Sequence, residues 1–267
     1  MLDLHWMQLP ITPLAILGST IGIFVSFRTN QAYARWWEGR QLWGRMVNAS
    51  RHFTNQVLSY LPRAADGGPS ELQRRLVMRH AAYVHALRVL MRTQSPSDDA
   101  HLMRTLGEDR VLIGRSNLTY SLVAAQQRDV VEAANRGDLD PHRLQSFDQT
   151  FAELLGVQGG CERIKKTPMP RGYAFIAERL VMFFSLLLPF ALAEALSWAI
   201  VPINLLICLG FQLISEAGRV LEDPFTMFWN GLPLTQLSTM IEVNVREEMG
   251  DRDLPAIPTP NEDGILM

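Results

Sequence analysis

Apolar positions along this chain come in two forms, unbroken runs and helical stripes. Leu9 to Phe27 holds no charged residue, and neither does Leu180 to Ala193 (LVMFFSLLLPFALA). After Glu194 the stretch from Ala195 to Ser215 (ALSWAIVPINLLICLGFQLIS) is uncharged again. A helix needs about 20 mainly apolar residues to span a bilayer. The first and third runs reach that length alone, and the second does so when its start is carried back through YAFIAE to Tyr173. Glu178 and Arg179 then fall near the headgroups, and Glu194 falls at the tip of a helical hairpin, where water is available. A helical hairpin buried in a soluble core would read similarly, but three such runs in one small chain favour the membrane.

The stripes lie in the long connection between the first two runs. In LQRRLVMRHAAYVHALRVLMR, Leu72, Leu76, Tyr83 and Leu87 recur at helical spacing with Val84 and Leu90 beside them, while Arg74, Arg75, Arg79 and Arg88 take the other face. DGGPS (66–70) and QSPSDD (94–99) are turn-rich breaks. Further helices fit 38–60, 117–135 and 141–156, the last started by Asp140 with Pro141 at its first position. Strand-type alternation is missing from the sequence, so the expected class is all-α: an integral membrane helical protein with a large cytoplasmic helical region. The expected division is a transmembrane helix with a short extracellular leader (1–28), a cytoplasmic helical region (29–172), a transmembrane hairpin (173–216), a cytoplasmic helical segment (217–249) and a tail rich in Pro and acid without regular structure (250–267).

Orientation follows from Lys and Arg beside the spans. Arg28, Arg35, Arg40 and Arg45 follow the first, and Arg163, Lys165, Lys166, Arg171 and Arg179 precede or open the second. Both ends are therefore expected on the cytoplasmic side. The leader MLDLHWMQLP would lie outside, yet it has no Lys or Arg of the kind that opens a signal peptide. The expectation is that a complete version carries an upstream span and that this chain begins partway through it.

Composition narrows the chemistry. Net charge is -2 with a pI near 6.3, so no overall basic field points to nucleic acid. Two cysteines, Cys161 and Cys208, are too few for a disulfide framework. The six histidines are scattered, and His80 and His85 are wrongly spaced for two ligands on one helical face. Gly-rich phosphate loops, a G-x-S-x-G elbow and H-E-x-x-H are all missing from the sequence. No enzyme, cofactor or metal site is expected. An intramembrane enzyme is a poor fit too, because no ionisable pair lies within the spans.

The first run is odd for an anchor. Gly18, Gly22 and Ser26 fall four apart and form a stripe of small side chains, which lets helix backbones approach closely in lipid. One residue further round, about 100° away, Ser19, Ile23 and Phe27 make a second row. One reading puts the small stripe against neighbouring helices and the second row toward a shared axis, where rings of Ile and Phe would make a hydrophobic constriction. Ordinary packing inside one subunit is the other reading. At the charged end, Trp36 and Trp37 are rings suited to the membrane boundary, and Arg35 would anchor on phosphate or pair with an acid.

GSTIGIFVSFRTNQAYARWWEGRQLWG resembles the second transmembrane helix and following turn of bacterial bestrophins. GGCERIKKTPMPRGYAF (159–175), LLPFAL (187–192), LEDPF (221–225) and NGLPL (230–234) agree with that family in order, so the likeness covers Pro10 to Glu248. The resemblance implies a homo-oligomeric channel, a pentamer, with one axial pore and a cytoplasmic vestibule. It places the pore neck on Ser19, Ile23 and Phe27; the serine departs from the bulky apolar residue usual there and implies a wider, wetter outer ring. It aligns a second restriction with DLDPHRL, putting His142 at the cytoplasmic aperture, where a histidine would make conduction pH-sensitive; a surface histidine beside a helix start is the alternative. Animal bestrophins hold calcium with an acidic run after a Pro-Phe pair. Here Pro224 and Phe225 are followed by TMFWNG, so no calcium activation is expected. Thr226 and Gly231 stand where Gly and Asp are usual. The earlier membrane helix of the family accounts for the expected upstream span.

The functional expectation is passive conduction of small monovalent ions, with no cofactor and no nucleic acid. Animal relatives pass chloride and some bacterial ones pass cations, and apolar rings carry no charge to decide the sign. The expected partners are further copies of the chain, the lipid bilayer and the permeating ions. The expected location is the bacterial inner membrane, multi-pass, with the bulk of the chain cytoplasmic. A membrane-anchored helical scaffold without a pore is the alternative.

Overall fold

The first apolar run and the polar stretch after it form one continuous helix. In the computed structural model, which describes residues 9–260, α1 runs unbroken over Ile11–Tyr60. No helix end separates a span ending near Phe27 from a helix starting near Glu38, because no Gly or Pro lies between them to stop the ladder. The other helices are α2 (Glu71–Met91), α3 (Ala100–Leu106), α4 (Leu118–Asn135), α5 (Pro141–Lys166), α6 (Arg171–Leu196), α7 (Ile200–Leu221) and α8 (Leu234–Glu248). No strand occurs among the described residues, in keeping with the all-α expectation. α5 passes the expected end at residue 156 because its interior glycines, Gly156, Gly159 and Gly160, do not stop it; Gly160 sits where an added Cβ would meet Leu42 at 2.8 Å, so it marks close packing. The hairpin turns at Ser197–Ala199, beyond the expected tip at Glu194. Residues 250–260 have no regular structure; the leader's first eight residues and the last seven of the tail lie outside the described residues.

By contacts the chain falls into two units. One holds the residues up to Trp37 and Thr167–Asp223; the other holds Glu38–Lys166 and the chain from Pro224 onward.

In the second unit, side chains that close helix ends explain the chain path. Ser70 accepts from the Gln73 backbone N–H at 3.3 Å while Gln73 Oε1 accepts from the Ser70 N–H at 2.8 Å, a reciprocal box that starts α2. The same Gln73 amide donates to Val57 and Leu61 carbonyls at 3.0 and 3.1 Å, so one fully buried side chain both starts α2 and satisfies the end of α1. Asp99 at α3, Asn117 at α4 and Asp140 at α5 start their helices more simply, each accepting backbone N–H groups of the first turn on its side-chain oxygen. The core is aromatic: Trp43, Phe53, Tyr83, Phe147 and Phe151 are buried, with Phe53 against Phe151 at 5.6 Å. Arg79 spans two elements by pairing with Asp109 at 2.7 Å and Asp129 at 2.6 Å.

The expected Pro-Phe turn is also built here. Phe225 is fully buried, and Gly39 of α1 admits it and Pro224 so closely that an added Cβ would meet Pro224 at 3.0 Å. Leu232 N donates to Pro224 O at 2.7 Å to close the loop. Gly231 fits where an added Cβ would collide with the Thr226 carbonyl oxygen, which explains a glycine at this departure from the family pattern.

The first unit consists of the start of α1 with α6 and α7. Leu14, Ile21 and Val25 of α1 pack on Ala177, Phe184 and Leu188 of α6, with Phe211 of α7 edge-on to Phe184 at 5.7 Å. α1, Phe175–Ala193 within α6, and α7 are each long and apolar enough to cross a membrane. Their exposed faces are apolar, with Met182, Leu186, Leu205, Leu206, Leu209 and Leu213 all outward.

Candidate functional site

The faces of α1 that its own unit uses determine what is left for other contacts. Leu14, Ile21 and Val25 are consumed against α6. On an adjacent face, Arg28 is buried and donates to Ser215 Oγ of α7 at 3.2 Å, while the single Thr29 hydroxyl proton has Val25 O at 3.0 Å and Ile214 O at 3.4 Å as its acceptors. Gly218 of α7 permits that approach, since an added Cβ would meet Thr29 at 3.1 Å.

Ser19, Ile23 and Phe27 all lie on the side left over. Ile23 is 60% exposed and Phe27 64% exposed, and Ser19 is exposed too. In-subunit packing, the other reading of this row, therefore finds no support in the unit itself. Ser19 Oγ donates back to Ala15 O at 2.9 Å, which satisfies its proton within the helix and leaves the oxygen lone pairs facing outward.

The small stripe divides. Gly18 lies under the Phe184 ring, where an added Cβ would come within 2.9 Å of two ring carbons, and Gly22 lies at ordinary distance from Phe211. Both glycines thus serve packing inside the unit, whereas Ser26 is exposed. At the polar end, Arg35 donates to two backbone carbonyls, Glu222 O at 3.2 Å and Thr167 O at 2.9 Å. Glu222 in turn accepts from the Met169 N–H at 3.1 Å, which ties the ends of α7 and the α5–α6 connection together. Trp36 is half-buried beside Tyr33 at 6.2 Å, and Trp37 is exposed.

His142 is an exposed residue of the first turn of α5, and its backbone N–H donates to Asp140 Oδ1 at 3.0 Å. The hydrogen bonds from the Arg143 and His142 backbones hold the Asp140 carboxyl below its ordinary range.

One cluster escaped the sequence reading. His85 of α2 and His101 of α3 place Nε2 at 2.8 and 2.6 Å from the same oxygen, Glu242 Oε2 of α8, and Arg246 donates to Oε1 at 2.9 Å. Burial pushes the Glu242 carboxyl up, but the hydrogen bonds from His101, His85 and Arg246 outweigh it and hold the group well below the usual carboxylate range. Burial pushes the His85 imidazole down, against the hydrogen bond to Glu242, which raises it. Glu242 is 157 positions from His85 and 141 from His101, so no local spacing gathers them. The available signal was an acid set among the buried stripe Leu234, Ser238, Ile241 and Val245.

Comparison with known proteins agrees with this architecture. The model of the bacterial and fungal bestrophin proteins matches residues 1–247. A relative from Mesorhizobium japonicum, named a voltage-dependent anion channel-forming protein, is 33% identical over 248 residues, covering 93% of this chain and 78% of its own length. YneE of Escherichia coli, with the same descriptive name, is 33% identical over 252 residues, covering 94% of this chain and 81% of its own. The crystal structure of a bacterial bestrophin homologue from Klebsiella pneumoniae superposes with a TM-score of 0.85 at 32% identity, over 92% of this chain and 89% of that one. A family match over nearly the whole chain, with a shared fold and a third of the residues identical, leads to one conclusion: the chain belongs to the bacterial and fungal bestrophin family.

Proposed function

We propose that this chain forms a bestrophin-like channel that passes small monovalent anions down their gradient, and that Ser19, Ile23 and Phe27 border its conducting axis. The observation that carries the reading is that a turn-spaced row on α1 stays exposed after α6 and α7 have used the other faces. Exposed apolar side chains on a span-length helix, Ile16 as well as Ile23 and Phe27, suit either lipid or a shared axis; the family favours the axis. The names of the curated relatives support anions as the permeating class. The chain acts by conduction and catalyses no reaction.

The assembly in this reading is a homopentamer in the bacterial inner membrane, with the uncharged run that ends at Phe27 and the hairpin of 173–216 in the bilayer and 29–172 and 217–249 on the cytoplasmic side. Trp36 and Trp37 sit at the boundary, where Arg35 braces the spans from below, and His142 borders the cytoplasmic aperture. Two measurements on purified protein in liposomes test the proposal. Under a salt gradient the reversal potential should move toward the anion equilibrium potential; movement toward the cation one overturns the assigned sign. With Ser19→Cys, an oxidant should cross-link copies to each other; a membrane scaffold without a pore would carry no current and leave these thiols unlinked.

A further inference from the structure

We propose that His85, His101 and Glu242 form a zinc-binding site that clamps α2, α3 and α8 together. One nitrogen from each imidazole and one Glu242 oxygen lie within 4.8 Å of one another. Two imidazoles and a carboxylate are a ligand set that tetrahedral zinc accepts, with a fourth position left for water. All three side chains belong to the unit that contains Glu38–Lys166 and the chain from Pro224.

The geometry needs little change to take an ion. Ligand atoms of a tetrahedral zinc site stand ~3.3 Å apart when the bonds are ~2.0–2.1 Å. The nitrogen to oxygen distances here are 2.8 and 2.6 Å and must lengthen by about 0.5–0.7 Å, while the two nitrogens, which lie within 4.8 Å of one another, settle at the same spacing. His101 can supply that movement, because its side chain is 32% exposed and it stands on a short helix. His85 and Glu242 are almost fully buried and form the fixed part of the site. A cavity of about 330 Å³, lined by His101, Glu242, Arg104, Arg246 and Asp253, opens onto the cluster and gives an ion and its water a route in.

Protons and charges are compatible with the ion. When zinc takes Nε2, each imidazole carries its proton on Nδ1; His85 Nδ1 is buried and makes no hydrogen bond in the structure, so the shift breaks none there but needs an acceptor, such as a water, for the new N–H. Arg246 remains on Oε1 and orients the carboxylate for one-oxygen binding through Oε2, as outer groups do around metal sites. The cationic neighbours are themselves paired: Arg246 with Asp251 at 3.0 Å, and Arg88, beside His85, with Asp99 at 2.5 Å. The plain alternative is a hydrogen-bonded His–Glu–His bridge that binds nothing.

The test uses the full chain, purified in detergent without a polyhistidine tag and stripped with a chelator. Zinc titrated by calorimetry should bind with one ion per chain, and His142→Ala should leave that binding unchanged. His101→Ala should weaken it by at least ~10-fold, the lower end of what losing even an outer partner costs. Zinc binding that His101→Ala leaves intact, or its absence from the wild type, overturns the proposal. X-ray absorption on the zinc-loaded wild type needs no variant: a first shell with two imidazoles supports the site, and a shell of sulfur or of oxygen alone overturns it. None of these readouts depends on ion conduction.

Discussion

Truncation of Phe27 separates the three places its ring can be. Phe27 is 64% exposed in the subunit, so Phe27→Ala forgoes only about a third of the ~1.5–3 kcal/mol that full burial of such a side chain supplies. The subunit should therefore lose about 0.5–1 kcal/mol, against the ~3–5 kcal/mol typical of a buried phenylalanine. Around a shared axis the consequence is different, because every copy contributes a ring to the same constriction. In a pentamer, relief of only about 0.3 kcal/mol per ring lowers the barrier by about 1.4 kcal/mol and raises flux about tenfold. The assay is anion flux from liposomes at matched protein content, with thermal melting on the same preparation. A large rise in flux with little change in melting supports the axial row. Unchanged flux in properly inserted protein refutes it and leaves the ring facing lipid, and a core-sized loss of stability would mean the ring is packed inside the subunit after all.

Two further perturbations probe the scaffold. Gly18→Ala forces a methyl to within 2.9 Å of the Phe184 ring and should cost about 1–3 kcal/mol, whereas Gly22→Ala meets Phe211 only at 4.0 Å and should be tolerated; equal melting temperatures for the two variants would contradict this packing. His80 is fully buried against Phe53 at 4.8 Å, and burial, partly offset by Gln126, lowers its pKa to about 4. The unfolded chain then binds the extra proton between that value and the ordinary 6.5, so stability falls as the medium is acidified through this window, by about 3 kcal/mol in all. His80→Leu should flatten the fall in melting temperature between pH 6.5 and 4, and an unaltered profile would refute the assignment.

The membrane helices were legible because spanning a bilayer imposes length and polarity on contiguous residues, and contiguous runs are what a sequence displays. The stripe Leu72, Leu76, Tyr83 and Leu87 was legible for a similar reason: a helix face repeats locally, and α2 buries Leu76, Tyr83 and Leu87. The errors arose where local signals compete with tertiary packing. A change from apolar to charged residues after Phe27 reads as an element boundary, yet hydrogen bonding along α1 is indifferent to that change. The end expected at residue 156 falls inside α5, which runs on past Gly160, a residue that is small because Leu42 lies against it.

The candidate row and the His–Glu cluster mark the two extremes of what a sequence can carry about a site. Ser19, Ile23 and Phe27 share a face through backbone periodicity alone, so their grouping is fixed before any tertiary contact forms. Which way that face points is another matter, and it depends on residues far along the chain: Phe184 closing over Gly18, and Ser215 and Ile214 holding Arg28 and Thr29. Those contacts use up the neighbouring faces of α1 and leave the row outward by exclusion. His85, His101 and Glu242 have no periodic relation at all and meet only because α2, α3 and α8 pack together. The row could therefore be read as a pattern with an undetermined direction, while the cluster required the fold to exist first. A consequence is that substitutions at Phe184 or Ser215 should disturb the row's orientation without touching it, whereas the cluster is exposed to any change in how α8 seats on α2.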